Sequence, residues 1–486
     1  MAIYSFSPFG YDGSIVSVEV DLRHGIPATD IVGLADGSVK ECRERIQYAI
    51  RRSGLEYPDE RVLISLSPAD LMKEGARFDL PIALGVLQKN FKEDVLILGE
   101  LELSGRIRPV SGVYSACTAA LARGIQYAIV PTENLNKALE TGIKAIGCNT
   151  LYDAYKLPDA LSTRQIATVD SYDNTISFRE PDEKLSIKMT EKEMLALVVG
   201  ASGRFNMMFF GSPGSGKTRL MQYMQYLTPS LTEEQAQSVK RIYSLAGYGS
   251  KDENKIYPPF RTPHQTATIE GIYGGGSNCR PGEISLAHNG VLFLDEAAEF
   301  RNSVLQILRV PLENKTITLS RAGRTTVYPA NFQLLLALSP CPCGNYGSKD
   351  KICLCSAKSV ELYWKKLSGP LLDRVPIRLH IDQSEERKEY TLEELQSYVK
   401  RATEESRLLG ITFRDLTAEQ IQEMIPVNVF KRLTKIAEKK EMSERRRYDL
   451  CRVWITIVSA LGHSEERYFE DIDKAVELMG LFKFPN

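Results

Sequence analysis

The chain has 486 residues, 43% of them hydrophobic and 25% charged, with a formal net charge of -1. That length exceeds what one hydrophobic core supports and predicts about three domains. The near-neutral balance excludes a global basic field for nucleic acid or an anionic membrane, so any such partner is held by a local patch. No apolar run reaches the ~18 residues of a membrane span. The start "MAIYSFSPFGYDG" lacks a basic segment followed by an apolar one, which predicts a cytoplasmic chain.

In chain order, "GSIVSVEVDL" (13–22) alternates with period two and predicts a strand. "SVKECRERIQYAIRRSG" then places Val39, Cys42, Ile46, Ala49 and Ile50 on one helical face, with Asp36 as cap and Gly54 as stop. Strands at "RVLISLS" and "YAIVPT", with the helical "YSACTAALARG" between them, complete an α/β domain over 1–165. The polar, turn-rich stretch 166–186 reads as a linker. From 187 to 384, "FNMMFFG", "GVLFLDE" and "FQLLLALS" alternate with helical segments, as in a sheet of buried parallel strands. Residues 385–486 are charged and helical and predict a helical lid.

"GSPGSGKT" fits G-x-x-x-x-G-K-[ST] and covers Gly211, Ser212, Pro213, Gly214, Ser215, Gly216, Lys217 and Thr218, between an apolar strand and a helix. Backbone N–H groups of such a loop curl round a phosphate and the helix N-terminus adds its positive dipole end. Lys217 would reach the outer phosphates and Thr218 would ligate Mg²⁺. "GVLFLDE" ends in Asp295, which would hold the magnesium shell, and Glu296, which would polarise the attacking water. A P-loop with an Asp-Glu strand ending points to ATP hydrolysis.

Nine cysteines are present, four of them within fifteen residues as C-x-C-x9-C-x-C: Cys341, Cys343, Cys353 and Cys355. In a reducing compartment the clustering favours metal over disulfide, and four thiolates suffice for a closed tetrahedral Zn²⁺ site with turns at Gly344 and Gly347. Free, partly buried thiols remain the competing possibility.

"FRTPHQTATIEGIYGGGSNCRPGEISLAHNGVLFLDEAAEF" (260–300), "SPCPCGNYG" (339–347) and "LSGPLLDRVPI" (367–377) resemble the magnesium-chelatase-like AAA+ ATPases of the ComM (YifB) type. The resemblance implies a Lon-protease-like N-terminal α/β domain, a P-loop AAA+ core with a parallel sheet, and a C-terminal helical lid. It implies a homo-hexamer in which Arg374 reaches the neighbouring subunit's ATP. Arg445 in "MSERRRYDL" matches the second sensor and would meet the γ-phosphate in cis, with Arg446 and Arg447 as rivals. The hairpin "TITLSRAGRTTVY" would point Arg321 and Arg324 into the pore, towards a polynucleotide backbone. The matching places of an active Lon-type protease hold Arg77 and Tyr114, so proteolysis is not expected.

Two departures stand out. Ser339 occupies the place where the family usually has Asn as the sensor that orients the lytic water, and "MTEKEMLALVVGASGRF" lacks the Gly-Gln adenine signature. The function implied is an ATP-driven motor on branched or single-stranded DNA, of the branch-migration or helicase kind in recombination or transformation. A chelatase-type or protein-remodelling motor and a slow ATP-binding scaffold are the alternatives.

Overall fold

The computed structural model describes residues 2–33, 37–69, 73, 75–163, 172–183, 185–248, 257–276, 279–321, 324–346, 352–382 and 384–480. A seven-stranded sheet fills the N-terminal part, in the order Thr29–Val32, Arg61–Ser67, Ser14–Arg23, Ile3–Ser7, Val95–Ile97, Tyr127–Pro131, Lys144–Cys148. It is parallel except where Ser14–Arg23 runs against both neighbours. Alternation is why: Val16 and Val18 with Val62, Ile64 and Leu66 make one apolar face, which Cys42, Ile46, Ala49 and Ile50 of helix Gly37–Arg52 cover. That helix ends at Arg52, followed by Gly54 at φ 72°. The expected cap Asp36 and the side chain of Val39 lie outside the described residues.

The second sheet is wholly parallel, in the order Phe260–Arg261, Val291–Leu294, Gln333–Leu338, Met207–Phe210, Ile377–His380. Its three central strands are buried along their whole length, as all-apolar runs require when helices cover both faces. The helices Leu392–Leu408 and Glu444–Leu461 do not form a separate core. Leu395, Val399 and Trp454 pack in one cluster with Met207, Phe209 and Phe293. Strand Lys388–Thr391 also returns to pair with Ser186–Met189, which begins at the last residue of the stretch expected as linker. Within that stretch Tyr172 donates to the Leu231 carbonyl (2.9 Å), so its described part runs along the core. Among the described residues no helix is long and apolar enough to cross a membrane.

The turn after Ile3–Ser7 joins the N-terminal part to the strand Arg324–Pro329 and to helix Glu233–Ala246. Tyr11 N donates to Thr326 Oγ1 (2.9 Å), and the Tyr11 ring lies edge-on to Tyr328 and under Arg241, whose guanidinium also pairs with Asp12 (3.2 Å). Tyr11 Oη meets Ser238 Oγ (3.2 Å), which meets His288 Nε2 (3.0 Å). Burial pushes the His288 imidazole down to about 3, so it stays neutral in this chain of hydroxyls. Gly10 makes the approach possible: it sits at φ 55°, and a Cβ there would stand 2.0 Å from Thr326 Oγ1. Gly10→Ala should therefore lower the thermal midpoint further than Gly124→Ala, where φ is 82° but a Cβ meets nothing within 4 Å. It should also open the junction to limited proteolysis. Equal midpoints and equal cleavage would contradict the packed turn.

Candidate nucleotide site and its neighbours

The apolar strand Met207–Phe210 delivers Gly211 to the carboxyl edge of the parallel sheet, where α/β folds place ligands. A Cβ on Gly211 would stand 2.4 Å from the Ile381 carbonyl oxygen, so no other residue fits. Gly214 and Gly216 take φ 80° and 94°, left-handed values that glycine adopts at little cost. The loop thus curls through Ser212, Pro213 and Ser215 into helix Lys217–Leu227, whose first N–H groups lack intrahelical partners. Lys217 Nζ donates inward to the carbonyls of Gly211 and Ser212 (both 2.8 Å) and to Ser215 Oγ (3.4 Å). Burial lowers its ammonium pKa, against the opposing pull of Asp295 and Glu296.

Strand Val291–Leu294 brings Asp295 to the same edge. Its Oδ1 accepts from Thr218 Oγ1 (3.1 Å) and from Glu296 N (3.1 Å). Adjacent ligands of an octahedral Mg²⁺ at ~2.1 Å stand ~3 Å apart, so Thr218 and Asp295 are spaced to share that ion. Glu296 sits at φ 49°, a left-handed value in which a non-glycine residue stores roughly 1–2 kcal/mol. Its Oε2 accepts from Gln265 Nε2 (2.9 Å). Gln265 is a contact that sequence reasoning missed: it lies inside "RTPHQTAT", but a lone glutamine in a loop carries no motif. Ser339 follows Leu338 on the strand between the two, within 3.9 Å of a Cβ placed on Gly344.

Arg374 and Arg445 meet each other. Both guanidinium groups address Glu313 Oε2, Arg374 through Nη2 and Arg445 through Nη1 at 3.6 Å. The Arg374 contact holds the Glu313 carboxyl below its usual range, and Arg445 adds to it. Asp373, an alternative partner for Arg374, instead accepts from Ser443 Oγ (3.0 Å). Arg445 thus lies beside Arg374, on a carboxylate that both share. The rivals are engaged elsewhere: Arg446 donates to the Met479 carbonyl (2.8 Å), and Arg447 pairs with Glu444 (3.7 Å) and lies over Tyr448.

Strands Thr316–Arg321 and Arg324–Pro329 form the expected hairpin, with Arg321 opposite Arg324 at its tip. Arg321 is exposed, while residues 322–323 and the side chain of Arg324 lie outside the described residues. Glu313 is on helix Arg309–Asn314, which leads directly into that hairpin. In the N-terminal part Arg77 Nη1 donates to the Ser111 carbonyl (3.1 Å), and burial raises the Tyr114 hydroxyl pKa. The sulfurs of Cys341, Cys343, Cys353 and Cys355 all lie within 4.8 Å of one another. Gly347 is outside the described residues.

The family description "Magnesium chelatase, subunit ChlI" matches residues 185–389, and "Subunit ChlI of Mg-chelatase" matches residues 18–134. Competence protein ComM of Haemophilus influenzae is 36% identical over 389 residues, 78% of this chain and 76% of that protein. The chain belongs to the magnesium-chelatase-like ComM family. YifB of Escherichia coli is 36% identical over 387 residues (78% and 75%), and an uncharacterized protein of Mycobacterium tuberculosis strain H37Rv is 39% identical over 389 (78% and 76%). As a ComM-family protein the chain is an AAA+ ATPase by fold, with a mixed α/β body and a helical C-terminal part.

The Gln265 amide occupies Glu296 Oε2 and holds that side chain in one orientation, away from any other partner of the same oxygen. Gln265→Ala should raise ATP turnover measured without any polymer, by a few-fold. A fall would show that Gln265 instead holds Glu296 in its working position.

Proposed function

We propose that the protein hydrolyses ATP as a homo-hexameric ring and uses the turnover to move or remodel DNA, branched or single-stranded. The observation that carries this is the division of the site. Lys217, Thr218, Asp295 and Glu296 gather at one sheet edge, whereas Arg374 and Arg445 are presented together on Glu313. A second subunit would complete the constellation, which supports a ring over a monomer.

Mg²⁺ held by Thr218 and Asp295 would neutralise charge on the outer phosphates. Lys217 exchanges its carbonyl partners for phosphate oxygens. Glu296, released from Gln265, takes the proton of the attacking water. Arg374 from the neighbouring subunit meets the charge on the transferred phosphoryl group, with Arg445 alongside. Ser339 can orient the water through a hydroxyl only. The weaker sensor and the restrained Glu296 also favour a second reading, a scaffold that binds ATP and turns it over slowly. A turnover assay of native chain against Glu296→Gln separates the two, since only a motor loses activity. A structural Zn²⁺ at the four cysteines completes the proposed cofactor set.

The DNA assignment rests on the hairpin. Six hairpins, each with an exposed Arg321 opposite Arg324, would build a positive ring without altering net charge. ATP turnover should rise with forked or four-way DNA, fall again as salt increases, and lose that stimulation in the Arg321→Glu, Arg324→Glu variant. Equal turnover with and without DNA would overturn the assignment.

A further inference from the structure

The cysteine loop and the phosphate loop touch. Gly344, in the turn that holds Cys341 and Cys343, lies so close to Pro213 that a Cβ on it would stand 2.6 Å from Pro213 Cγ. Gly344 takes φ 76°, and its N–H donates to the Cys341 carbonyl (2.9 Å), so the approach is set by a tight turn. Pro213 is at the outer lip of the loop whose amides would hold the phosphates. The turn itself is anchored from below: Trp364 Nε1 donates to the Pro340 carbonyl (3.0 Å) and its ring meets Phe210 edge-on.

The sulfurs are arranged for a metal. Four thiolates on a tetrahedron of ~2.3 Å metal–sulfur bonds stand ~3.8 Å apart. Here Cys341 Sγ is 3.4 Å from Cys343 Sγ and 3.7 Å from Cys353 Sγ, and Cys343 Sγ is 3.6 Å from Cys353 Sγ. These separations exceed the ~2.05 Å of a disulfide. Backbone amides face the sulfurs, as metal-bound thiolates require: Tyr346 N donates to Cys341 Sγ (3.3 Å), and the amides of Asn345, Cys355 and Cys343 address Cys343, Cys353 and Cys355. Ile352 and Leu354 are 82% and 89% exposed, so alternation along the strand-like run turns Cys353 and Cys355 inward.

We propose that Cys341, Cys343, Cys353 and Cys355 bind one zinc ion, and that the closed site braces the P-loop by seating Gly344 on Pro213. The proposal rests on the nucleotide-site assignment above and adds that zinc occupancy sets nucleotide affinity. Without the ion the two Cys-x-Cys arms lose the bonds that would close them, the Gly344 turn loosens, and the lip of the phosphate cradle loses its outer wall.

The test uses the purified full chain, with zinc per chain and the Kd of a fluorescent ADP analogue as readouts. The native chain should carry one zinc. Removal by a high-affinity chelator, or Cys343→Ser, should empty the site and weaken ADP binding about tenfold, the equivalent of one charge-assisted hydrogen bond. Gly344→Ala should keep its zinc yet weaken ADP binding similarly, which separates loss of the brace from general unfolding. A native chain that holds no zinc and takes none up from zinc chloride overturns the site. Unchanged ADP binding after chelation and in Gly344→Ala overturns the brace. Loss of DNA-stimulated turnover with both readouts intact counts against the motor alone.

Discussion

Three apolar strands running parallel, with their carboxyl ends nearly flush, are the constraint on which the nucleotide half of the molecule depends. Phe210 lies opposite Leu338, and Leu294 opposite Leu336, so Gly211, Ser339 and Asp295 emerge along one edge. Gly211 N donates to the Leu338 carbonyl (3.2 Å), which carries the pairing one residue beyond the strand. A register slip by one would turn every buried side chain to the opposite face and withdraw Asp295 from Thr218. The burial of those strands is therefore what sets the Thr218–Asp295 spacing that suits Mg²⁺.

From that edge the chain divides its labour. Residues that would bind phosphate and metal come from the ends of central strands, where hydrophobic packing fixes them. Residues that would meet a second subunit's nucleotide come from Asp373–Arg374 and from the start of helix Glu444–Leu461, and Glu313 gathers them. Glu313 also immediately precedes the hairpin that presents Arg321. Lys315, two residues on, pairs with Asp415 of the C-terminal helical part (2.7 Å). The stretch 309–315 thus contacts the arginine pair and the C-terminal part and leads into the hairpin.

What the sequence revealed follows from how local each signal is. The P-loop, Asp295 and Glu296 were legible because glycine spacing and an acid after an apolar run are encoded within eight residues. Strands Ser14–Arg23 and Arg61–Ser67 were legible from alternation. The short strands Thr29–Val32 and Phe260–Arg261 were not, since two to four residues show no period. Contacts between distant segments were also invisible. Gln265 reaches Glu296 across 31 residues and Glu313 reaches Arg374 across 61, and neither pairing leaves a trace in local pattern. The resemblance named Arg374 and Arg445 one by one, and only the folded chain brings them to a common carboxylate. The four cysteines were legible as a cluster, while their contact with Pro213 depends on a fold no spacing encodes.

The central claim is that each working site is shared between two subunits, the loop from one and Arg374 from the next. Mixing two inactive variants, Lys217→Ala and Arg374→Ala, and measuring ATP turnover tests it most directly. Mixed assemblies should recover turnover that neither variant shows alone, because some interfaces pair an intact loop with an intact arginine. Mixed assemblies that form but stay as inactive as each variant alone would contradict it.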